Sequence, residues 1–377
     1  MFTVSTVWSM NKFAVIGASE FQNPLILKAK EMGYETHVFA WAADDIGEHT
    51  ADVFHPVSIT EKDEILRICR EVGISGIATA GSDLAVHAVN HVARAMGLPA
   101  NPPITDIIAT NKYRMREALL AAGLVTPRFA LSDGDMPPQQ AYDFTFPLIV
   151  KPTDRSGSRG IFKIEHPDEL AAAVKQSAAL SFEKRAIVEE FFEGDEFSCE
   201  CISFEGVHRR LAITRKATTG APHFIETGHV QPAGLSEAQQ AAVEETVFAA
   251  LDALQIRYGA SHAEFRIDAD GVVRIVEVGS RMGGDCIGTD LVPMSTGHDF
   301  VRMIVDVACG RAPVLCEQPL NRRAEIRFIL TEQDWQDYLT VKQNTPQRIY
   351  RTSEHIGPPD GSVSDSSTRF GFYLLWE

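Results

Sequence analysis

Residues 262–284 read HAEFRIDADGVVRIVEVGSRMGG, and they put two glutamates where a folding chain gains nothing by having them. Asp270-Gly271 is the strongest short hairpin signal a sequence offers, and it lies between the extended runs FRI and VVRIVEV. With those two residues as the loop, Ala269 pairs with Val272, and counting outward sets Glu264 directly opposite Glu277. Directly paired side chains have Cβ atoms about 4.5–5.5 Å apart, and like charges at that spacing destabilise a sheet. Three arrangements would relieve the pair. The carboxylates splay into water, or share a proton as buried acid pairs do, or hold a cation between them. The GSRMGG that follows places small residues around an arginine at a strand end, which leaves room there for a polyanion.

The rest of the chain sets the limits on that polyanion. With 377 residues and 45% hydrophobic content, the chain can bury large cores and should form two or three domains. A net charge of −16 with no local basic patch argues against a nucleic-acid partner. Asp and Glu are scattered, the pattern of a soluble surface rather than an acidic tail. The six cysteines show no C-x-x-C spacing, and Cys199 and Cys201, one residue apart on an expected strand, read as reduced core thiols. No apolar run approaches the ~18 residues a bilayer requires, so no membrane partner is expected. MFTVSTVWS lacks the charged and long apolar regions of a signal peptide. Met10 reads as an alternative start, with residues 1–10 as a leader and a cytoplasmic location for the product.

Residues 11–105 alternate short apolar runs (KFAVIGA, YETHVFAW, ISGIATA) with amphipathic helical patterns. That is a βαβαβα order, predicting a Rossmann-like parallel sheet with helices on both faces. Ligands of such sheets lie at the carboxyl ends of the strands, here Gly17–Glu20 and Gly81–Asp83. IGASEFQNP lacks G-x-G-x-x-G spacing, so nicotinamide binding is not expected. LPANPP, residues 98–103, marks a boundary, after which TDIIATNKYRMREALLAAG reads as one helix. A small α+β unit follows over about 126–190, and the remainder, 191–377, holds the opening hairpin and an uneven tail ending in the strand STRFGFYLLW.

FPLIVKPTDRSGSRGIFKI sets Lys151 at the end of an apolar strand, followed by a loop with two glycines and two serines. Backbone N–H groups of such a loop can close on phosphate oxygens. The P-loop pattern G-x-x-x-x-G-K-[ST] is absent, and taken alone this is an ordinary glycine–serine turn. Lys112, in TNKYRMR, is likewise by itself only a surface lysine.

The order of the pieces is more specific than any one of them. N-K, then V-K-P-x-x-x-S-G-S-x-G, V-E-E-F-F-x-G-D-E, H-x-E, D-G and E-V-x-S-R resembles the ATP-grasp superfamily across residues 106–290. Within it, FIETGHVQPAGLS, GASHAEFRID and EVGSRMGGD look most like the carboxylate–amine ligases that include L-amino acid ligases. The resemblance implies an N-terminal domain preceding an ATP-grasp domain over 106–377, with a mobile lid at 126–190. It implies ATP, Mg²⁺ with Mn²⁺ as a substitute, and small-molecule carboxylate and amine substrates; a homodimer stays open.

Carried over position by position, Lys112 and Lys151 would hold the α- and β-phosphates, and Ser156, Gly157, Ser158 and Gly160 would close over the γ-phosphate. Glu189 would meet the adenine amino group, with the backbone of Glu190 and Phe192 reading the ring, and Glu196 would bind the ribose hydroxyls. Glu264 and Glu277 would bind the metal, and Arg281 would steady the transferred phosphate or the substrate carboxylate. The family usually carries an asparagine two positions after the second glutamate, and this chain has Gly279. Arg215, Lys216 and His229 are candidates for meeting a substrate carboxylate, and Gly283-Gly284 would admit a substrate close to the backbone. His262, His223 and His229 are the candidate bases, and Arg322 and Arg323 read as surface charges. A catalytically quiet nucleotide-binding regulator is the alternative, resting on Gly279.

Overall fold

The computed structural model describes residues 11–134, 136–221 and 224–377; the leader expected at residues 1–10 and His223 lie outside the described residues. Three sheets organise the chain. The first is parallel, with strands β1 (Lys12–Ile16), β2 (Glu35–Phe39), β3 (Val53–His55) and β4 (Gly76–Ala78) in the order β3-β2-β1-β4. Phe13 and Val15 point into one core and Ala14 and Ile16 into another, because successive side chains of a strand take opposite faces. Helix Lys62–Val72 and helix Asp83–Met96 cover one face; helix Asn23–Glu31 and, from far along the chain, helix Phe300–Ala308 cover the other. The short β3 and the helix Ile46–Thr50 before it have too little apolar periodicity to show in the sequence.

The expected single helix after the boundary is two, Thr105–Ile108 and Lys112–Ala121. Asn111 breaks it by adopting an extended backbone and capping the second helix, its side chain accepting from the Arg114 N–H at 3.1 Å. That cap puts Lys112 at the first position of a new helix rather than on the flank of an old one.

A four-stranded antiparallel sheet follows: β5 (Phe129–Asp133), β6 (Leu148–Pro152), β7 (Phe162–Ile164) and β8 (Arg185–Glu190), ordered β5-β8-β6-β7 and backed by helix Leu170–Leu180. Its strands alternate cleanly. Leu148, Val150, Ala186 and Val188 fill the core under the helix, which sends Ile149, Lys151, Ile187 and Glu189 to the other face.

The largest sheet has eight strands. These are β9 (Asp195–Phe204), β10 (Val207–Thr218), β11 (Glu226–Gln231), β12 (Gly259–Ile267), β13 (Val273–Gly279), β14 (Ala324–Phe328), β15 (Ile349–Thr352) and β16 (Phe372–Trp376). Their order is β13-β12-β9-β10-β11-β14-β16-β15. Helix Glu237–Ala253 packs on one face over Phe197, Cys199, Cys201 and Phe265. The uneven tail is therefore structured: it adds three strands and helix Glu332–Asn344, which opens on a Thr331 capping box. Among the described residues no helix is long and apolar enough to cross a membrane.

The hairpin of the opening stretch differs in detail from the count. Its loop has three residues, with Asp268 N–H donating to Val272 O at 3.2 Å and Gly271 at φ +80°. Phe265 consequently faces Ile275 and not Val276. A register shift then intervenes, one extra residue at Val276, and Glu264 pairs with Glu277 after all. Two one-residue departures cancel. The carbonyl of the extra residue accepts from Arg116 Nη2 at 2.8 Å.

Candidate active site

The lid sheet and the large sheet face each other across a cleft that encloses about 1130 Å³ when the solvent at its open mouth is counted. Lys112, Lys151, the 156–158 loop, Glu189, Glu264 and Glu277 all line it.

The lid wall is built around a buried carboxylate. Lys151 Nζ lies 2.5 Å from Glu189 Oε1, and Arg116 Nε donates to Glu189 Oε2 at 2.9 Å. Burial would raise the pKa of Glu189, but the charges of Arg116 and Lys151 outweigh it and hold the group at about 2. For Lys151 burial dominates in the other direction. Arg116 and Lys112 add to it, Glu189 offsets it only in part, and the ammonium is pushed below its ordinary range. Lys112 closes this wall at the helix start: its Nζ donates to Glu277 Oε1 and to the Arg155 carbonyl, each at 2.7 Å. Through Arg155 it holds the entrance of the glycine–serine loop, where Gly157, Ser158 and Gly160 take positive φ. Arg155 also stacks on Phe182, its guanidinium 4.1 Å from the ring centroid.

Several groups expected to read the base are engaged within the chain. Glu189, assigned to the adenine amino group, has both oxygens engaged by Lys151 and Arg116, so it orders cations rather than standing open to a base. The backbone at the hinge is also engaged: Glu190 N–H donates to the Arg128 carbonyl at 3.0 Å, and the Phe192 carbonyl accepts from Arg266 at 3.0 Å. The Glu190 side chain turns away, accepting from Thr145 N–H at 2.8 Å. What remains for a flat base is apolar lining from Ile149, Phe191, Phe192 and Val276.

The sheet wall carries a row of alternating charge. Lys216 Nζ lies 2.5 Å from Glu264 Oε1 and 3.5 Å from Glu196, while Glu196 accepts from Arg266 at 2.7 Å. His262 completes the row, with Nε2 3.1 Å from Glu264 and Nδ1 against Glu200. Burial would lower the pKa of Lys216, but Glu264, Glu196 and Glu226 outweigh it and raise it. Burial is likewise outweighed at Glu264, whose carboxyl Lys216 and His262 hold well below the carboxylate range. For His262, Glu200 and Glu264 overcome burial and lift the imidazole to about 9. Both ring nitrogens of His262, a candidate base, are engaged by these two carboxylates.

Arg281 is set by the N-terminal sheet. Asp83, at the start of helix Asp83–Met96, grips it through Nε to Oδ1 at 2.9 Å and Nη2 to Oδ2 at 3.1 Å. Gly279 has its reason in this pair, since a Cβ there would stand 3.0 Å from Asp83 Oδ1 and 3.2 Å from Arg281 Nε. A larger residue there would crowd the arginine and its partner.

The four tentative substrate residues Arg215, His229, Gly283 and Gly284 do not line the cleft. Arg215 points to the opposite face of β10 from Lys216, pairs with Asp195 at 2.7 Å and covers the Phe197 ring. His229 is buried beside Asp285, its Nε2 3.5 Å from the carboxylate, and edge-on to Phe328. Gly284 lies off the cleft too, and Gly283 meets it only through Glu200 and His262. Arg116, Arg266 and Glu200 are the residues that motif reading passed over, and Asp83, expected at a ligand-side strand end, was not expected to pair with Arg281; their partners lie on other strands and helices, where no local spacing reports them. Arg322 and Arg323 are exposed.

Among the described residues no cluster of three or more His, Cys, Asp and Glu side chains has metal-binding geometry. Glu264 and Glu277, paired across the β12–β13 ladder, are the carboxylates that could hold a cation. That suits Mg²⁺, which takes one or two carboxylates and fills its octahedron with phosphate and water, and it does not suit Zn²⁺.

The fold and the site define a two-walled cleft preceded by a parallel α/β unit. Residues 144–290 match the family model described as ATP-grasp domain. Over 263 residues the chain is 27% identical to a D-alanine–D-alanine ligase of Cupriavidus taiwanensis, covering 63% of this chain and 79% of that one. The structure superimposes on an L-amino acid ligase from Bacillus licheniformis with a TM-score of 0.81 and 25% identity, covering 98% of this chain and 94% of the other. The biotin carboxylase domain of the Hydrogenobacter thermophilus 2-oxoglutarate carboxylase, in complex with MgADP and bicarbonate, shares the fold at TM-score 0.73 and 18% identity, over 98% of this chain and 87% of that one. Residues 144–290 thus carry the ATP-grasp match, and the chain is similar in sequence and fold to these ligases.

Proposed function

We propose that the protein is an ADP-forming carbon–nitrogen ligase that activates a substrate carboxylate as an acyl phosphate and joins it to an amine, with amino acids as the substrate class. The observation that carries this reading is the Glu264–Glu277 pair on one wall, facing Lys112, Lys151 and the glycine–serine loop on the other. A triphosphate belongs between a wall arranged for anions and a wall arranged for a cation. Mg²⁺ held by Glu264 and Glu277 would neutralise phosphate oxygens, and Mn²⁺ is expected to replace it. The fold likeness to a domain whose crystal structure contains MgADP supports that choice.

The chain's own work is positioning and charge neutralisation, without a covalent nucleophile. Lys112 and Lys151 hold the phosphates, the Ser156–Gly160 loop covers the terminal one, and Glu196 meets the ribose. Arg281, oriented by Asp83, offers a fork suited to an oxyanion. A carboxylate oxygen attacks the γ-phosphorus in line and ADP leaves. The amine nitrogen then attacks the acyl carbon, phosphate leaves, and the amine gives up its proton. The same reading carries a cytoplasmic location and no nucleic-acid or membrane partner, and it leaves a homodimer open.

The test is a panel of amino acids, singly and in pairs, with MgATP, reading ADP release and product mass. Release that depends on both a carboxylate and an amine is expected. Tight MgATP binding with no turnover across the panel would favour the alternative, a nucleotide-binding regulator.

A further inference from the structure

Glu200 is a fully buried carboxylate that does not line the cleft. Such a group costs several kcal/mol to bury unless its oxygens are filled. Both are filled in a way that ties two parts of the site together. Oε2 accepts from the Gly283 N–H at 2.8 Å, and Oε1 meets His262 Nδ1. His262 lies directly across from Glu200 in the β9–β12 ladder and reaches Glu264 through its other nitrogen at 3.1 Å. The backbone of the 280–286 loop, the buried carboxylate, the imidazole and the metal-binding glutamate thus form one connected series.

The loop end of that series is tightly made. A Cβ at Gly283 would stand 2.7 Å from Glu200 Oε1 and 2.8 Å from His262 Nδ1, so only glycine lets the backbone reach the pair. On one side of Gly283, Met282 N–H donates to the Ala80 carbonyl at 3.0 Å and Arg281 is gripped by Asp83. On the other, Asp285 and Cys286 hold positive φ of 51° and 61°, a conformation that persists only where surrounding contacts enforce it. Arg369 supplies part of that enforcement through a two-pronged pair with Asp285, at 2.6 and 3.0 Å.

We propose that Glu200 and His262 are positioning residues that fix the backbone of the Arg281–Gly284 loop against the metal-binding edge at Glu264, so that the carboxylate substrate and the terminal phosphate are held in register. This rests on the ligase reading for its kinetic consequence but not for its structural one. Neither Glu200 nor Gly283 touches the cleft, so their effect passes through Arg281 and His262.

Hydrogen–deuterium exchange of the nucleotide-free protein tests the structural part whatever the reaction proves to be. Glu200→Ala is expected to speed exchange at the 282–286 amides by tenfold or more. Glu200→Gln, which keeps an oxygen for the Gly283 N–H, should restore most of the protection. In steady state, Glu200→Ala should raise KM for the carboxylate substrate at least tenfold while changing affinity for MgADP less than threefold. If Glu200→Ala does not fold, Gly283→Ala makes the same disruption from the loop side. Wild-type protection in a folded Glu200→Ala or Gly283→Ala protein would overturn the proposal, and so would an equal loss of nucleotide affinity and carboxylate KM. If the amino-acid panel yields no ligase substrate, the ligase reading fails while the exchange rates alone still decide whether Glu200 anchors the loop.

Discussion

Each wall of the cleft buries a lysine against a glutamate, and the two lysines move in opposite directions. On the lid, Lys151 shares its single carboxylate with Arg116 and lies near Lys112, and its pKa is lowered. On the sheet, Lys216 faces Glu264, Glu196 and Glu226, and its pKa is raised. Burial acts on both in the same sense; the ratio of carboxylates to cations decides the outcome. A wall with cations in excess is incomplete without an anion, and a wall with carboxylates in excess is incomplete without a cation. A nucleotide carrying its metal satisfies both at once, which neither wall asks for alone.

The contrast can be broken by changing either wall. Glu277→Gln removes one of the two facing carboxylates, and turnover should fall by at least about 10²–10³, the scale of deleting one preorganised charge-stabilising group. Near-normal rates in the amino-acid panel would remove the metal role. Lys151→Met takes a cation from the opposite wall. It should weaken MgADP binding by roughly 10–100-fold, as expected of one charged hydrogen bond of about 1.5–3 kcal/mol, measured by calorimetry.

Glu189→Gln separates the lid's charge balance from nucleotide binding through pH. The folded-state pKa of Glu189, about 2, lies below its ordinary 4.5. Its contribution to stability is therefore fully present above pH 4.5 and is lost as pH falls through about 2. The variant should flatten the acid limb of a Tm-against-pH curve in that window and leave the curve parallel to wild type above it. An unchanged acid limb would show that the clamp contributes no such linkage. Arg215→Ala should have the smallest effect, within about twofold in kcat/KM, because the side chain covers Phe197 on the far face of β10 as a surface contact.

Arg215 and Lys216 also show how far the sequence could be read. One residue of register decides which of two neighbouring cations enters the cleft, and no local feature of TRKAT announces it. Lys112, Lys151, the 156–160 loop and the Glu264–Glu277 pair were legible because each sits in a short motif whose order along the chain is itself a signal. Even so, the hairpin count reached the right pair through a longer loop and a compensating bulge. Arg116 and Glu200 were not legible, nor was the pairing of Asp83, a residue at an expected ligand-side strand end, with Arg281. Asp83 meets Arg281 across 198 residues and Arg116 meets Glu189 across 73, distances at which only the assembled fold specifies the partner. The parallel sheet was plain from its alternation of apolar runs and helices. Of the three C-terminal strands only the last was, within STRFGFYLLW; β14 and β15 are short runs between irregular connections, and β15 joins the sheet only through the later β16.

A crystal structure of the protein with Mn²⁺ and a non-hydrolysable ATP analogue, the metal located by its anomalous signal, puts the two-walled cleft to the sharpest test. The signal is expected between Glu264 and Glu277, with the phosphates reaching Lys112 and Lys151 across the cleft. Metal and phosphates bound elsewhere, with both carboxylates turned to solvent, would contradict it.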